Sequence, residues 1–281
     1  MPRSTGFPGA DAEDDFQRMR RRQVLARLGQ RLRREPDDVS VVLPFDEVVA
    51  ALGMAGEYYL GVELIPLGSI VGSVDRGRDF DREFRPTSNR SRERWQRIAT
   101  AQRRGASMPP ISVYRIGDMH FVRDGHHRVS VARALGWRTI EAEVTEVQTR
   151  LGTEGIRMPS DLVLKDYERL FLERVPLPRE AQASLRVEDP WNWALLSETV
   201  EAWGFRLMQH EKRFLTRREV AERWYSDEYR RVIRMLRAAE LIGRRSEVEA
   251  YLGVAGERYR LMRTHDWNDE VISRLQQERR A

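Results

Sequence analysis

Residues 121–136 read FVRDGHHRVSVARALG, and this stretch decides the fold that the sequence predicts. Its first residues suit a strand, while the run from Val129 has apolar residues at helical spacing and ends at Gly136. Five polar or small residues stand at the junction: Asp124, Gly125, His126, His127 and Arg128. A glycine between a strand and a helix lets the free amides of the first helical turn face a ligand, which favours an anion.

The side chains at this junction suit phosphate chemistry. Arg128 and the two histidines can reach the same anion, so we expect Gly125, His126, His127 and Arg128 to bind a nucleotide. Asp124 could hold a divalent metal such as Mg²⁺ between phosphates, or accept a proton from a substrate hydroxyl. Asp124, His126 and His127 are therefore the catalytic candidates. In a purely structural alternative, Asp124 caps the helix and His127 packs against the preceding strands.

The sequence on either side predicts a mixed sheet and helices. ISVYRIGDMHFVRD (111–124) reads as a hairpin with a two-residue turn at Gly117 and Asp118. SRERWQRIATAQRRG (91–105) reads as a helix, and TIEAEVTEV (139–147) as an alternating strand. YYLGVELIPLGSIVG (58–72) is rich in β-branched and aromatic residues and suits strands.

The flanks read as helical, so we expect three regions: a helical N-terminal arm (1–56), the mixed domain (57–150) and a helical C-terminal domain (151–281). In the C-terminal domain, Thr216 and Glu219 form a capping-box pattern, and Ser226 is a second cap candidate. Two helices joined by a short turn are therefore expected, either as a helix-turn-helix or as a plain helical hairpin. In the first case Arg230, Arg231 and Arg234 would contact DNA.

Composition excludes several classes of function. The 281 residues include no cysteine, which excludes disulfides, thiol chemistry and cysteine-ligated metals. No apolar run is long enough to span a bilayer, so we expect no membrane association. The lack of cysteine, together with the absence of a signal-peptide pattern in the first residues, fits a cytoplasmic protein. Only two of the 49 basic residues are lysine, and the net charge is +5. Arginine is the better planar partner for phosphate.

The order of elements and the stretch DGHHRVSVARALGWRTIEAEV (124–144) resemble the ParB/sulfiredoxin superfamily. IPLGSIVGS (65–73) is similar to its opening strand, and 108–128 to the hairpin that leads to its ligand loop. The resemblance covers about residues 60–147 and implies an α+β fold, with helical regions flanking a ParB/sulfiredoxin-like domain. In this fold the loop that carries Arg76, Arg78 and Arg85 covers the ligand pocket, so Arg76 and Arg78 join the expected nucleotide contacts.

The resemblance implies several activities. Gly125 to Arg128 match by position the Gly-Glu-Arg-Arg loop that binds the CTP triphosphate in ParB proteins, although both middle residues differ. Sulfiredoxins carry their catalytic cysteine where His126 stands, and that chemistry cannot occur here. Free serine kinases have an Asp-Gly-His loop, which implies phosphoryl transfer with ATP. Their catalytic acid would come from the first strand or the following loop, where the candidates are Glu63, Asp75, Asp79 and Asp81.

Three functions follow as expectations. The first is a ParB-like, DNA-associated protein of chromosome partitioning or transcription that binds CTP or ATP, with a homodimer as one expected state. The second is an enzyme, either a small-molecule kinase or a metal-dependent nuclease, that uses Asp124 and a histidine. The third is a non-catalytic scaffold protein whose tryptophan-rich helices bind a partner protein. The second phosphate-binding motif of ParB proteins has no clear counterpart in this chain.

Overall fold

The computed structural model describes residues 5–34, 36–75 and 77–280. By its contacts the chain separates into two compact units, one up to Lys165 and one from Asp166. The first unit holds a mixed sheet with helices, and the second is helical. The α+β fold class expected from the sequence is confirmed, while the three-domain division of the chain remains a prediction.

The sheet of the first unit has six strands in the order β1-β3-β5-β4-β6-β2. Strands β1, β3 and β5 run parallel, β4 and β5 form the expected antiparallel hairpin, and β6 pairs parallel with β4 and antiparallel with β2. The strands are β1 (Leu43–Pro44), β2 (Met54–Pro66), β3 (Ile70–Ser73), β4 (Ile111–Ile116), β5 (Met119–Asp124) and β6 (Thr139–Thr149). Because β3 and β5 are parallel neighbours, their carboxyl ends meet at one edge of the sheet.

Three helix ends follow from local sequence. Gly53 directly follows one helix, and Gly105 and Gly136 each stand two residues after another; all three have positive φ. The first four helices are α1 (Pro8–Leu32), α2 (Phe45–Leu52), α3 (Arg92–Arg103) and α4 (His126–Ala134). The later helices are α5 (Asp161–Arg174), α6 (Arg179–Ser184), α7 (Trp191–Glu211), α8 (Arg217–Arg223), α9 (Arg230–Ala238), α10 (Glu247–Met262) and α11 (Asp269–Arg280).

Helix α4 is buried between two apolar clusters. Val129 and Ala132 belong to the cluster that covers the sheet, while Val131 belongs to a second cluster with Phe16 of α1 and Trp95 of α3. The Trp95 indole donates a hydrogen bond to the Ser130 hydroxyl at 2.9 Å, so this buried polar pair is satisfied. Packing on both sides fixes α4, and with it the residues of its first turn.

The second unit is built around an aromatic cluster. A π-helical segment, Trp224–Tyr229, joins α8 to α9 and buries Trp224 and Tyr229. The Trp224 indole donates to the Tyr251 hydroxyl at 3.2 Å, and the Trp267 indole donates to Glu228 at 2.7 Å. Burial raises the pKa of Glu228. In the described part of the chain, none of the helices is apolar over a length that would cross a membrane.

Candidate functional site

The candidate site begins where β5 passes into α4 through Gly125. This glycine has a φ of +101°, and a Cβ atom on it would lie 2.5 Å from Cγ2 of Ile111, so the position requires glycine on two grounds. Helix α4 then starts without a side-chain N-cap. Asp124 therefore does not cap the helix, and the first-turn amides of α4 lie at the carboxyl edge of β3 and β5.

His126 and His127 are both buried, each with 5% of its surface exposed. Nε2 of His126 lies 2.8 Å from the hydroxyl of Ser73, at the end of β3. The His126 ring stacks with Phe80 and Phe84, and the His127 ring meets Phe80 edge-on at 5.2 Å. The two rings therefore hold the loop after β3 against the start of α4.

The guanidinium of Arg128 braces the site from the side of β4. It donates to the carboxylate of Asp124 at 2.6 Å, to the carbonyl of Pro110 at 2.8 Å and to the carbonyl of Pro109. The Arg128 side chain is 13% exposed, whereas that of Asp124 is 70% exposed. Asp124 thus presents a carboxylate to solvent beside the helix start, and Arg128 also has a structural role.

The loop between β3 and α3 (74–91) folds around Asp81. Its carboxylate accepts hydrogen bonds from the amides of Glu83 and Arg85 and from Nε of Arg85. Burial raises the pKa of Asp81, and its bonds with Arg85 oppose that shift. Arg78 is exposed and lies two residues before Phe80, which touches both histidines. Arg76 lies outside the described residues.

The acids considered for catalysis lie in different places. Asp75 and Asp79 are exposed in the loop, close in sequence to Ser73. Glu63 lies on β2, three strands away from β5, where its carboxylate is 3.5 Å from Arg115. The fold therefore does not bring Glu63 to the start of α4.

Sequence reasoning missed three residues of the site: Ser73, Phe80 and Phe84. Ser73 is 53 positions before its partner His126, and the two phenylalanines are more than 40 positions before the rings they contact. The parallel pairing of β3 with β5 creates these contacts. Of the three, only Ser73 had a local indication of its place, because it is the last residue of a predicted strand.

The second candidate interface is on α9 of the second unit. Arg230, Arg231 and Arg234 are all exposed, as a DNA contact would require. Nη2 of Arg231 donates to the carbonyl of Trp267 at 3.2 Å. Arg230 and Arg234 make no ion pair with any residue that the structure describes. They lie one helical turn apart, so their side chains share one face.

The expected turn before α9 is wrong. The Thr216–Glu219 capping box is present, but the chain stays helical from Arg217 to Ala238 through the π-helical segment. Ser226 lies inside that segment, where its hydroxyl donates to Asp227 instead of capping a helix. The physical reason is the burial of Trp224 and Tyr229, because a turn between them would expose apolar surface. A helix-turn-helix is therefore not formed here.

Within residues 5–34, 36–75 and 77–280 there is no group of three or more His, Asp or Glu side chains that could hold a metal ion. A metal at Asp124 would therefore take its other ligands from water and substrate. Mg²⁺ is commonly bound in this way, through one or two carboxylates and the phosphates of a nucleotide. The exposed carboxylate of Asp124 fits that role.

Solved structures that are similar to this chain include a sulfiredoxin and a ParB-N domain. No family model and no curated protein matches this chain. The crystal structure of sulfiredoxin from Arabidopsis thaliana is 20% identical, with a TM-score of 0.25, over 31% of this chain and 86% of that one. The C2221 form of a Pnob8-like ParB-N domain is 15% identical, with a TM-score of 0.22, over 78% of this chain and 80% of that one. At such TM-scores these two likenesses carry no weight for the function of this chain.

Proposed function

We propose that this protein binds a nucleoside phosphate at the start of α4. The observation that carries the proposal is the left-handed Gly125 between β5 and an α4 that has no side-chain cap. The N–H groups of His126, His127 and Arg128 then face the space before the helix, where the positive end of the helix dipole also lies. A phosphate group in that space would accept hydrogen bonds from these amides and carry the negative charge that the dipole favours.

The side chains around this place have separate roles in the proposal. The buried rings of His126 and His127 fix the amides by holding the loop at Phe80. Arg128 fixes the segment before β4 next to α4, because its guanidinium donates to the carbonyls of Pro109 and Pro110. Arg78, which is exposed in the loop 74–91, would supply a further positive charge to the phosphate, a role that the sequence also assigns to Arg76. The exposed carboxylate of Asp124 would hold Mg²⁺ on the phosphates of CTP or ATP.

The direct test is an NMR titration of the full chain with CTP, ATP, ADP and GTP, with and without Mg²⁺. We expect one nucleotide to shift the backbone amide signals of His126, His127 and Arg128. If none of the four nucleotides moves these signals, the phosphate site is wrong and the scaffold function becomes the better explanation. A shift that requires Mg²⁺ and disappears in Asp124→Asn would support the metal role.

The contribution of the loop is tested separately by equilibrium binding. Arg78→Ala should weaken the nucleotide by roughly tenfold, because it removes a charge-assisted contact to phosphate. Arg97→Ala is the matched control, since Arg97 is an exposed arginine on α3. Equal affinities for the two variants would exclude Arg78 as a phosphate contact. Arg128→Ala is less informative, because it also removes the bonds to Pro109 and Pro110.

DNA association is the second part of the proposal, and it rests on Arg230 and Arg234. Both arginines lie on one exposed face of α9 without an ion-pair partner among the described residues. Such residues contact the phosphate backbone, which gives affinity without sequence readout. A role in chromosome partitioning or transcription would follow from nucleotide-dependent DNA binding, and a homodimer would offer two such faces.

An enzymatic function is favoured by one observation, the exposed Asp124 carboxylate beside the proposed phosphate. It could take a proton from an attacking hydroxyl in a kinase, or hold the metal of a nuclease. In either case Asp124→Ala should abolish turnover of labelled ATP or DNA while the melting temperature changes little. If the wild-type protein turns over neither substrate, the enzymatic function is wrong and the binding function is retained.

A further inference from the structure

A cavity of about 520 Å³ opens near the opposite end of α4. Its walls come from α1, from the start of β3, from the loop 74–91 and from the last turn of α4 with the residues that follow. Four arginines and one glutamate line it, together with Met19 and Trp137. The cavity is separate from the site at Gly125, because α4 is nine residues, or about 13 Å, long.

Two of the arginines are held rigidly. Arg133 donates hydrogen bonds to the carbonyls of Leu67 and Ile70 at 2.8 Å and to that of Arg82 at 3.2 Å. Arg85 is fixed by its Nε bond to Asp81 at 2.8 Å. Carbonyl partners leave the charge of Arg133 in place, and its nearest carboxylate is Glu83 at 3.6 Å. The cavity therefore has preorganised positive charge in its wall.

The side chains of the other two arginines, Arg22 and Arg82, are not held in this way. Neither side chain makes a hydrogen bond or an ion pair with the residues that the structure describes. Arg22 is exposed on α1 and Arg82 is half-buried in the loop, and both line the same cavity. Asp81 balances the charge of Arg85 and Glu83 lies beside Arg133, so Arg22 and Arg82 leave an excess of positive charge at the cavity.

We propose that this cavity binds a small molecule that carries a phosphate and a planar ring. Planar guanidinium groups bind phosphate oxygens in a bidentate manner, which suits Arg22 and Arg82. The volume lies within the range of about 300–1,000 Å³ found for small-molecule sites, and it exceeds what an inorganic phosphate would fill. The Trp137 ring, 46% exposed, offers an aromatic face on which a planar group can stack.

The ligand would also join α1 to the body of the first unit. Arg22 belongs to α1, and Arg20 of the same helix donates to the carbonyl of Pro86 at 2.8 Å. A phosphate bound by both Arg22 and Arg82 adds a further link between α1 and the loop. Binding should therefore raise the melting temperature of the full chain.

The test compares ADP, adenosine and pyrophosphate as probes at fixed ionic strength. We expect ADP to bind more tightly than either part alone, because it presents a phosphate and a ring together. It should also shift the indole N–H signal of Trp137, which Trp137→Phe identifies. The double variant Arg22→Ala with Arg82→Ala should lose at least tenfold in ADP affinity.

The matched control is Arg21→Ala with Arg27→Ala, which removes two exposed arginines of α1 that do not line the cavity. An equal loss of ADP affinity in the control would overturn the proposal, because it would reflect net charge alone. So would an unchanged Trp137 signal at saturating ADP. If ADP moves the amides of His126 to Arg128 while Trp137 stays unmoved, the cavity is wrong and the α4 site stands. The reverse pattern would support the cavity and contradict the first site.

Discussion

His120 lies buried in β5, and neither ring nitrogen has a hydrogen-bond partner among the described residues. Burial, together with the charge of Arg115, lowers the pKa of His120 from 6.5 to about 4. Between these two pH values the unfolded chain holds a proton that the folded chain does not. The free energy of unfolding therefore falls as the pH drops from about 6.5 to about 4.

We predict that His120→Leu removes this part of the acid sensitivity. The contribution of His120 amounts to about 3 kcal/mol across the window, from the size of the pKa shift. Urea unfolding at pH 7.5 and pH 4 measures it, as the difference between the wild type and the variant. His210→Leu, at an exposed position of α7, is the control. An identical pH dependence in the wild type and His120→Leu would mean that His120 is not buried as a neutral ring.

Gly125 is the second residue with a sharp prediction. Gly125→Ala should lower the free energy of unfolding by about 3 kcal/mol, because it adds a clash with Ile111 to the strain of a positive φ. Gly136→Ala isolates the strain, since its φ is +76° and a Cβ there meets nothing within 4 Å. We expect it to cost about 1 kcal/mol. Chemical denaturation of both variants gives the comparison, and equal costs would show that Ile111 moves aside.

At the scale of elements, the capping box at the start of α8 is the clearest case of a predicted feature that is present. The Thr216 hydroxyl accepts from the Glu219 amide at 3.3 Å, and the Glu219 carboxylate accepts from the Thr216 amide at 2.8 Å. Thr216→Ala should therefore lower the free energy of unfolding by about 1 kcal/mol. Ser273→Ala, on the exposed face of α11, should change it little. Similar losses in both variants would show that the cap contributes nothing.

Elements with strong local signals were predictable from the sequence. The hairpin of β4 and β5, helix α4 and strand β6 follow from turn residues and periodicity, and all three are confirmed. Helix α1 is also confirmed, but the helical spacing of its apolar residues does not show which of them are buried and which are exposed. Phe16 and Met19 are buried, whereas Leu25, Leu28 and Leu32 are exposed. Which apolar residues are covered depends on where α3 and α4 pack.

Other features could not be predicted, because they arise from contacts distant in sequence. The rings of His126 and His127 are buried by Phe80 and Phe84, which the pairing of β3 with β5 brings together. The segment after Arg223 contains no glycine or proline, which agrees with a continuous helix and not with the expected turn, but its π-helical form has no local signal. Its conformation follows from the burial of two aromatic rings, and local spacing gives no sign of it.

At the scale of the whole molecule, the pairing of the arginines is as important as their number. Nearly all of its 49 basic residues are arginine, yet many of those described are paired with acids or backbone carbonyls. Total charge is therefore a poor guide to a nucleic-acid surface. Uncommitted arginines that share a face are more informative, and on α9 these are Arg230 and Arg234.

We predict that the affinity for duplex DNA falls with salt, and that Arg230→Ala with Arg234→Ala makes this dependence shallower. Each lost phosphate contact lowers the slope of log affinity against log salt by about 0.9, so the double variant should lose about 2. Fluorescence anisotropy with labelled duplex DNA at several salt concentrations measures both slopes.

Arg186→Ala with Arg244→Ala removes the same charge from exposed positions outside α9 and should leave the slope nearly unchanged. Arg231→Ala should have a smaller effect than either α9 partner, because its guanidinium already donates to Trp267. Equal slopes for the two double variants would attribute DNA binding to net charge, and no measurable binding by the wild type would exclude the α9 interface.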